Sequence, residues 1–409
     1  METKWIVGSA PAHLTIHYLA VRVTAARSPR SCAVGSGRFC SCRRKVGVMP
    51  DIHAARRCRA QELVRESAAD AALITARQNV RYLTGLASSN AALLLPAEGD
   101  GALLATDSRY AGAARRDAPD LELVEERFIE AKLATEAARR GIGRLAFEAH
   151  EMTVERHGEL TAKAEGVATL PFGRKIEALR LVKDNEELAK LEAACRLSDA
   201  ALAEVLPQIR PGMSERMLAT LLDHTMAVLG AERPAFDTIV ASGPNGAIPH
   251  HAPTIRELAR GDLVTMDFGA LHDGYHADMT RTVAIGSVAD WQREIYDLVA
   301  LAQQVGIGAL EDGVEAGAVD GAAREVIEAA GHAAHFQHGL GHGVGLEIHE
   351  APLLGYGRTG KLTDRVPVTV EPGVYLPGKG GVRIEDVLVV TAGGRARFLT
   401  STTRELLVL

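Results

Sequence analysis

Residues 261–282, GDLVTMDFGALHDGYHADMTRT, decide the fold because they hold two runs of residues typical of extended structure on either side of a turn signal. The first run covers residues 263–268 and the second covers residues 275–283, and both are rich in β-branched and aromatic side chains. Between them, residues 272–274 read His-Asp-Gly, a combination typical of tight turns. We therefore expect a β-hairpin that reverses near residue 273.

This hairpin places Asp267 and Asp278 on one face of a sheet. A two-residue turn at His272-Asp273 sets the two aspartates opposite each other, and a turn at Asp273-Gly274 makes them diagonal neighbours. Neighbouring carboxylates repel unless a cation neutralises them or one keeps its proton. The pair predicts a cation site if other ligands join it, and otherwise two solvated strand aspartates.

Candidate ligands occur in the last quarter of the chain. Residues 338–350, HGLGHGVGLEIHE, contain His338, His342 and His349 among four glycines. This glycine density favours extended backbone packed close to a neighbour, and argues against the helix of a zincin-like site.

Two glutamates complete the set. Glu371 ends a β-branched run, and Glu385 lies in another. Several carboxylates with one histidine form a mixed oxygen and nitrogen donor set, which suits Mn, Co or Zn. The candidate metal ligands are Asp267, Asp278, His342, Glu371 and Glu385.

Five motifs carry a resemblance to a known family. MDFG, ADMTRT, HGLGHGVGLEIHE, VEPGVY and GVRIED occur in this order, and together they resemble the motif set of the pita-bread metallopeptidases, which include methionine aminopeptidase, prolidase and aminopeptidase P. The resemblance runs from about residue 176 to the C-terminus. It implies that residues 176–409 form an α+β pita-bread catalytic domain.

The resemblance also implies a role for each ligand in a site with two divalent ions, for which Mn²⁺ is preferred, with Co or Zn as alternatives. Asp267 chelates one ion, His342 and Glu371 hold the other, and Asp278 and Glu385 bridge them at about 3.5 Å. Water bound between the ions has a pKa lowered towards neutrality, and Glu371 can accept its proton.

Further candidate catalytic residues lie beside these ligands. The matching motif places a substrate-side, proton-handling histidine at His250, which we favour over His251, and a second at His349. His338 matches a site histidine for which the sequence gives no role. Arg383, expected on the same strand face as Glu385 and two residues before it, can keep nearby carboxylates ionised and oriented.

The chain ahead of this domain alternates helix and strand patterns, which predicts an α/β domain over residues 49–175. ARQNVRYLTGL and TDSRY within it resemble the N-terminal domain of prolidases, aminopeptidases P and creatinases, which methionine aminopeptidases lack. In the second domain, an apolar stripe predicts a long helix from Asn185 with Cys195 buried, and Ser214 is expected to cap the next helix. Two helices followed by a hairpin occur twice, as in a duplicated architecture.

Residues 1–48 differ in composition from the rest of the chain. They carry eight Lys or Arg and one Glu, whereas the whole chain has a formal charge of −6. We interpret them as a basic, dispensable leader ahead of Met49, with a transit peptide as the alternative. The remaining chain is acidic, which argues against nucleic acid as a partner. Because the cysteines suggest no disulfide framework and no run of 18 apolar residues occurs, we expect a cytoplasmic protein without a membrane span.

The resemblance implies an enzyme that hydrolyses the bond between an N-terminal residue and a following proline. The first hypothesis is an Xaa-Pro aminopeptidase, and the alternative is an Xaa-Pro dipeptidase, or prolidase, because both share these motifs. A creatinase-like metal-free hydrolase or a noncatalytic binding module is disfavoured because the ligand set is complete. We expect a peptide or dipeptide substrate with proline at its second position, and a homodimer.

Overall fold

The computed structural model describes residues 51–409, and the interpretation of residues 1–48 as a leader lies outside the described residues. By its internal contacts the chain divides into residues 1–49 and 50–409, and the helices and strands described here belong to the second unit. Within residues 51–409, the helices are too short or too polar to cross a membrane.

The α-helices are α1 (Ile52–Glu66), α2 (Arg77–Thr84), α3 (Ala111–Asp117), α4 (Ile129–Arg139), α5 (Val154–Lys163), α6 (Lys175–Leu181), α7 (Asn185–Val205), α8 (Glu215–Val228), α9 (Asp290–Gly308) and α10 (Ala316–Ala329). Short 3₁₀ helices cover Leu206–Gln208, Gly243–Ala247 and Ala333–His335. The strands are β1 (Ala71–Ile74), β2 (Ala91–Pro96), β3 (Leu103–Thr106), β4 (Glu122–Glu125), β5 (Arg144–Phe147), β6 (Ala168–Pro171), β7 (Arg233–Pro234), β8 (Ile239–Ser242), β9 (Leu263–Phe268), β10 (Ala270–His272), β11 (Tyr275–His276), β12 (Met279–Ala284), β13 (Gly341–Gly343), β14 (Glu350–Leu354), β15 (Pro367–Val370), β16 (Gly373–Leu376), β17 (Gly380–Arg383), β18 (Asp386–Val389) and β19 (Arg397–Phe398).

The N-terminal region, from α1 to β6, is built on a six-stranded mixed sheet in the order β4-β3-β2-β1-β5-β6. Side chains alternate between the two faces of its central strand β1, and both faces are buried. Ala72 and Ile74 lie in one apolar cluster, which also receives residues of the later helix α7. Ala71 and Leu73 lie in another cluster, which α4 covers. The predicted α/β character of this region is confirmed.

The hairpin at residues 263–284 adopts the second of the two predicted registers. Asp267 lies opposite Thr280 across β9 and β12, so Asp267 and Asp278 are diagonal neighbours. The turn residues Asp273 and Gly274 have φ of 46° and 79°. Two consecutive positive φ values are the signature of a type I′ turn, which matches the twist of a hairpin.

The predicted second strand is not continuous, because the pairing is interrupted beside the two aspartates. A Cβ at Gly269 would lie 1.8 Å from the carbonyl oxygen of Ala277, so only glycine fits there. Asp278 falls in the gap between β11 and β12, outside the strand ladder. The side chain of Asp278 is therefore available to the site, and it lines the cavity described below.

The C-terminal region, from α7 onward, repeats a helix pair followed by antiparallel strands, as predicted. Helices α7 and α8 precede the sheet β12-β9-β8, and helices α9 and α10 precede the sheet β14-β13-β15-β18-β19. Cys195 on α7 is fully buried, and the side chain of Ser214 caps α8 by accepting from the N–H of Met217. Both predictions are confirmed.

The glycine-rich segment after α10 is extended at residues 341–343, where β13 lies between two strands of its sheet, and it bends over residues 345–349. A Cβ at Gly341 would lie 2.0 Å from the carbonyl oxygen of Thr369, and a Cβ at Gly343 would lie 2.2 Å from that of Ala351. Glycine on each side therefore allows the strand carrying His342 to pack closely between β14 and β15.

Candidate metal centre and active site

One cavity of about 820 Å³ opens where the hairpin faces the second sheet. All the predicted site residues line it, together with His338: His250, Asp267, Asp278, His342, His349, Glu371, Arg383 and Glu385. These residues come from separate loops and strands, so folding brings together positions spread over 136 residues of sequence, from 250 to 385.

Three of the predicted ligands form a compact group. One donor atom from each of Asp278, His342 and Glu385 lies within 4.8 Å of the others, and all three side chains are buried. Nε2 of His342 also lies 3.5 Å from Oδ2 of Asp278 and 3.5 Å from Oε1 of Glu371. Such spacing leaves room for a cation among the oxygen and nitrogen atoms.

The imidazole of His342 has the tautomer that a metal ligand requires. Its Nδ1 lies 2.9 Å from the carbonyl oxygen of Gly343, and because a carbonyl can only accept, Nδ1 carries the proton. Nε2 therefore presents a lone pair to the three carboxylates. Burial lowers the pKa of His342 to about 4, so the ring is neutral near pH 7.

Each carboxylate of the group makes ionisation of the others less favourable. Burial raises the pKa of Asp278 and of Glu385 well above the ordinary range, and the charges of neighbouring carboxylates add to both shifts. Burial also raises the pKa of Glu371 to about 8, with Asp267 adding to the shift and Arg383 opposing it. A divalent cation would offset this repulsion.

Asp267 supplies a further observation in favour of a cation. Oδ2 of Asp267 accepts a hydrogen bond of 2.7 Å from Nη2 of Arg383. Its Oδ1 is buried, and no described residue offers it a hydrogen-bond donor. A buried carboxylate oxygen without a partner is costly, and a cation would satisfy it. The donor set therefore fits a metal centre.

Arg383 connects the centre to His338 through Tyr375, which the sequence analysis did not single out. Nη1 of Arg383 donates a hydrogen bond of 2.9 Å to the hydroxyl of Tyr375, which lies 2.9 Å from Nε2 of His338. Nδ1 of His338 donates to the carbonyl oxygen of Gly339, so Nε2 accepts from Tyr375. The sequence does contain a signal for Tyr375, because this tyrosine ends the family motif VEPGVY, four residues after Glu371.

Two threonines that the sequence analysis also missed orient the glutamates. The hydroxyl of Thr280 donates a hydrogen bond of 2.7 Å to Oε2 of Glu385. The hydroxyl of Thr369 lies 3.3 Å from Oε1 of Glu371 and accepts from the N–H of His342. In the sequence, their β-branched side chains indicate only strand formation.

One detail of the expected local geometry is wrong. Arg383 and Glu385 were expected two residues apart on one strand face, but β17 ends at Arg383 and Glu385 lies in the bend before β18. The two side chains still meet at one partner, because the hydroxyl of Thr280 accepts from Nε of Arg383 at 3.1 Å and donates to Oε2 of Glu385 at 2.7 Å.

The side chains of the adjacent residues His250 and His251 lie in different environments. His250 is exposed in the cavity, whereas Nε2 of His251 lies 2.8 Å from Oε2 of the fully buried Glu215. His349 also lines the cavity, with its ring centroid 4.4 Å from that of His342. Burial lowers the pKa of His349, and the charge of His250 adds to the shift.

Comparison with known proteins agrees with this geometry. Residues 189–392 match metallopeptidase family M24, and residues 56–182 match the creatinase/prolidase N-terminal domain. The Xaa-Pro dipeptidase of Pyrococcus horikoshii is 35% identical, over 85% of this chain and 97% of the relative.

Two solved structures show the same fold over nearly their full length. The Xaa-Pro dipeptidase from Bacillus anthracis has a TM-score of 0.84 at 35% identity, covering 87% of this chain and 100% of that chain. The X-Pro aminopeptidase from Thermotoga maritima has a TM-score of 0.80 at 35% identity, covering 86% and 99%. The predicted fold, an α/β N-terminal domain with a pita-bread catalytic domain, is confirmed, while the boundaries at 49–175 and 176–409 stay predictions.

The matches also bear on activity. A family of metallopeptidases accounts for a cavity in which the four carboxylates of the predicted ligand set meet a neutral histidine, and membership of it excludes the hypothesis of a noncatalytic binding module. Among the relatives, dipeptidases predominate over aminopeptidases, so the alternative hypothesis fits better than the first. On the match to its sequence pattern and the similarity over whole relatives, this chain is a hydrolytic enzyme that belongs to metallopeptidase family M24.

Proposed function

We propose that the protein is a dinuclear-metal Xaa-Pro dipeptidase that hydrolyses the bond between an N-terminal residue and proline. The observation that carries this proposal is the single cavity in which the complete donor set meets His250 and His349. Similarity to Xaa-Pro dipeptidases over nearly their whole length supports the dipeptide as substrate.

The residues that would hold two divalent ions are Asp267, Asp278, His342, Glu371 and Glu385. When bound, such ions supply Lewis acidity towards the peptide carbonyl and towards water. We propose Mn²⁺, with Co²⁺ and Zn²⁺ as alternatives, because the donors are mostly carboxylate oxygens.

The chain's own residues supply proton transfer and orientation. Glu371, once bound cations offset the burial that raises its pKa, would be ionised and could accept a proton from the attacking water and release it to the departing proline nitrogen. His349, kept neutral by burial, can donate an N–H hydrogen bond to the oxygen of the attacked carbonyl. His250, which lines the same cavity, can stabilise the same developing charge. Arg383 holds Asp267 in a fixed orientation.

The cavity also offers a cation for the carboxylate of a dipeptide. Three arginines line it, and Arg324 and Arg383 are paired with Asp320 and Asp267. No described carboxylate lies within ion-pairing distance of Arg358, which is exposed beside the cavity mouth. We propose that Arg358 binds the C-terminal carboxylate, a group that a longer peptide carries further from the cleaved bond.

The test compares hydrolysis of Xaa-Pro, Xaa-Pro amide and Xaa-Pro-Yaa by the Mn²⁺-loaded enzyme, using wild type and Arg358→Ala. We expect wild type to prefer Xaa-Pro, and Arg358→Ala to raise KM for Xaa-Pro while leaving KM for the amide unchanged. Faster cleavage of Xaa-Pro-Yaa would instead establish an Xaa-Pro aminopeptidase, which similarity to the Thermotoga maritima enzyme keeps as the second candidate.

Two further proposals have their own measurements. Reconstitution of metal-free enzyme with Mn²⁺, Co²⁺ or Zn²⁺ in turn tests the choice of ion. The expected homodimer in the cytoplasm is tested by sedimentation of the purified chain and by fractionation of the cells that make it.

A further inference from the structure

Arg180, near the end of α6, is buried between the N-terminal and C-terminal regions, with 2% of its surface exposed. Its Nη1 donates a hydrogen bond of 2.8 Å to Oδ1 of Asn79 on α2. Its Nη2 donates a hydrogen bond of 2.7 Å to Oε2 of Glu347 and another to Oε1 of Glu350, in the glycine-rich segment of the site. One planar guanidinium therefore joins the N-terminal region to two carboxylates.

A second cation completes this buried cluster. Nζ of Lys183, which is 1% exposed, donates a hydrogen bond of 2.8 Å to Oε2 of Glu350. Although burial raises it, the pKa of Glu350 is held to about 2 by Lys183 and Arg180. Gly345 allows the carboxylate to approach, because a Cβ there would lie 2.8 Å from Oε2 of Glu350. The cluster is stable only while each charge keeps its partners.

His349 lies between the two glutamates that Arg180 holds. Within residues 51–409 its ring makes no hydrogen bond, and its ring contact is the edge-to-face one with His342 at 4.4 Å. The backbone N–H of Glu347 donates a hydrogen bond of 3.1 Å to Oε1 of Glu350, which closes the turn around His349. The place of the ring in the cavity therefore depends on the backbone of this turn.

We propose that Arg180 is a positioning residue for His349, and that through Asn79 the N-terminal region takes part in catalysis. The proposal rests on the role of His349 in the proposed function. Asn79 is itself fixed, because its Nδ2 donates a hydrogen bond of 2.6 Å to Oε1 of the buried Glu148. The described residues that line the cavity all lie at Phe236 or later. Within one chain, the N-terminal region therefore acts on the site through this connection.

Arg56 provides a matched control. It is 3% exposed on α1, and it donates hydrogen bonds of 2.6 Å to Oδ2 of Asp184 and 3.2 Å to the carbonyl oxygen of Tyr82. Like Arg180, it is a buried arginine that connects the N-terminal region to the C-terminal region. Unlike Arg180, it makes no ion pair or hydrogen bond with residues 347–350.

The experiment compares Arg180→Met with Arg56→Met for melting temperature, bound Mn²⁺ per chain, kcat and KM. The substrate is whichever Xaa-Pro peptide the wild type cleaves fastest. We expect both variants to lose thermal stability, because Arg180→Met leaves the buried Glu350 with fewer partners and Arg56→Met does the same to the buried Glu187. Only Arg180→Met should lose kcat, by about tenfold to a hundredfold, with Mn²⁺ content at the wild-type level, because a small displacement of a catalytic group is costly.

If Arg180→Met does not fold, Glu347→Gln decides the question, since the side chain of Glu347 is 41% exposed and its loss of charge is mild. We expect a lower kcat at an unchanged melting temperature. Equal kcat in Arg180→Met and Arg56→Met, or in Glu347→Gln and wild type, would overturn the proposal. A wild type that prefers longer peptides would refute the dipeptidase assignment alone, because the variants are compared on the preferred substrate.

Discussion

Arg383 donates a hydrogen bond of 2.7 Å to one oxygen of Asp267, while the other oxygen of that carboxylate is buried without a described partner. The arginine therefore orients the carboxylate so that its free oxygen faces the predicted ions. The same guanidinium reaches the hydroxyls of Tyr375 and Thr280 at 2.9 Å and 3.1 Å. The planar fork reaches these three groups from three separate nitrogens, whereas an ammonium offers all its donors from a single atom.

We therefore expect Arg383→Lys to keep the fold and the positive charge but to lower kcat/KM by about tenfold to a hundredfold. Tyr375→Phe should have a smaller effect, because it removes the link to His338 and leaves Asp267 oriented. Steady-state kinetics on metal-loaded protein measures both. Wild-type kcat/KM in Arg383→Lys would show that the planar shape of the guanidinium is not required and that its positive charge is sufficient.

The second prediction concerns the diagonal neighbours of the hairpin. We expect Asp278→Asn to weaken Mn²⁺ binding by about tenfold or more and to abolish turnover. In the presence of a chelator, the same variant should melt no lower than wild type, because the substitution removes one member of a repelling carboxylate group. Metal titration and melting curves with and without Mn²⁺ test the two parts separately.

Asp273→Asn in the turn is the matched control for this change. Asparagine tolerates the φ of 46° there, and the half-exposed ion pairs with Arg81 and Lys190 contribute about 0–1 kcal/mol. Metal affinity and turnover should stay at wild-type levels. Equal loss of metal from both variants would mean that Asp278 is not a ligand.

The sequence predicted the parts of the site that depend on local periodicity. A reversal near residue 273 and the shared face of Asp267 and Asp278 follow from the turn residues and two-residue alternation, whereas the choice between the two possible registers came from the structure. The family motifs added the roles of His342 and both glutamates. Arg180 escaped notice because its partner Glu350 lies 170 positions away. Nothing in the residues around an arginine indicates which carboxylate it will meet after folding.

The interruption at Gly269 was missed for a related reason. An isolated glycine in a strand pattern indicates a bulge or a close approach of backbone, but the approaching group belongs to the opposite strand. The role of Tyr375 likewise depends on three-dimensional contacts, with Arg383 on one side and His338 on the other. Sequence patterns identify chemistry at a position, and tertiary packing decides its partners.

The third prediction is a pH effect on the metal-free protein. Burial lowers the pKa of His338 to about 4, below its value of about 6.5 in the unfolded chain. Between these values the unfolded state binds more protons, so the free energy of unfolding falls as the pH is lowered from 6.5 to 4, by up to about 3 kcal/mol from this residue. We expect His338→Gln to lose that part of the pH dependence.

Chemical denaturation at several pH values, with a chelator present, measures this effect. His224→Gln, which removes an exposed histidine on α8, serves as the matched control. Parallel profiles for His338→Gln and wild type between pH 6.5 and 4 would show that His338 accepts a proton in the folded protein as easily as in the unfolded one.

The last prediction separates the adjacent histidines. His251→Ala should lower the free energy of unfolding by about 1–3 kcal/mol, because it removes a hydrogen bond of 2.8 Å from the buried Glu215. His250→Ala should leave stability unchanged, because the side chain is exposed in the cavity, and should lower kcat by about a hundredfold or more if it stabilises charge on the attacked carbonyl. Urea unfolding and kinetics on the two metal-loaded variants measure both quantities. The opposite result would be a stability loss with normal turnover in His250→Ala, and lost turnover with normal stability in His251→Ala. It would mean that His251, and not His250, is the proton-handling histidine.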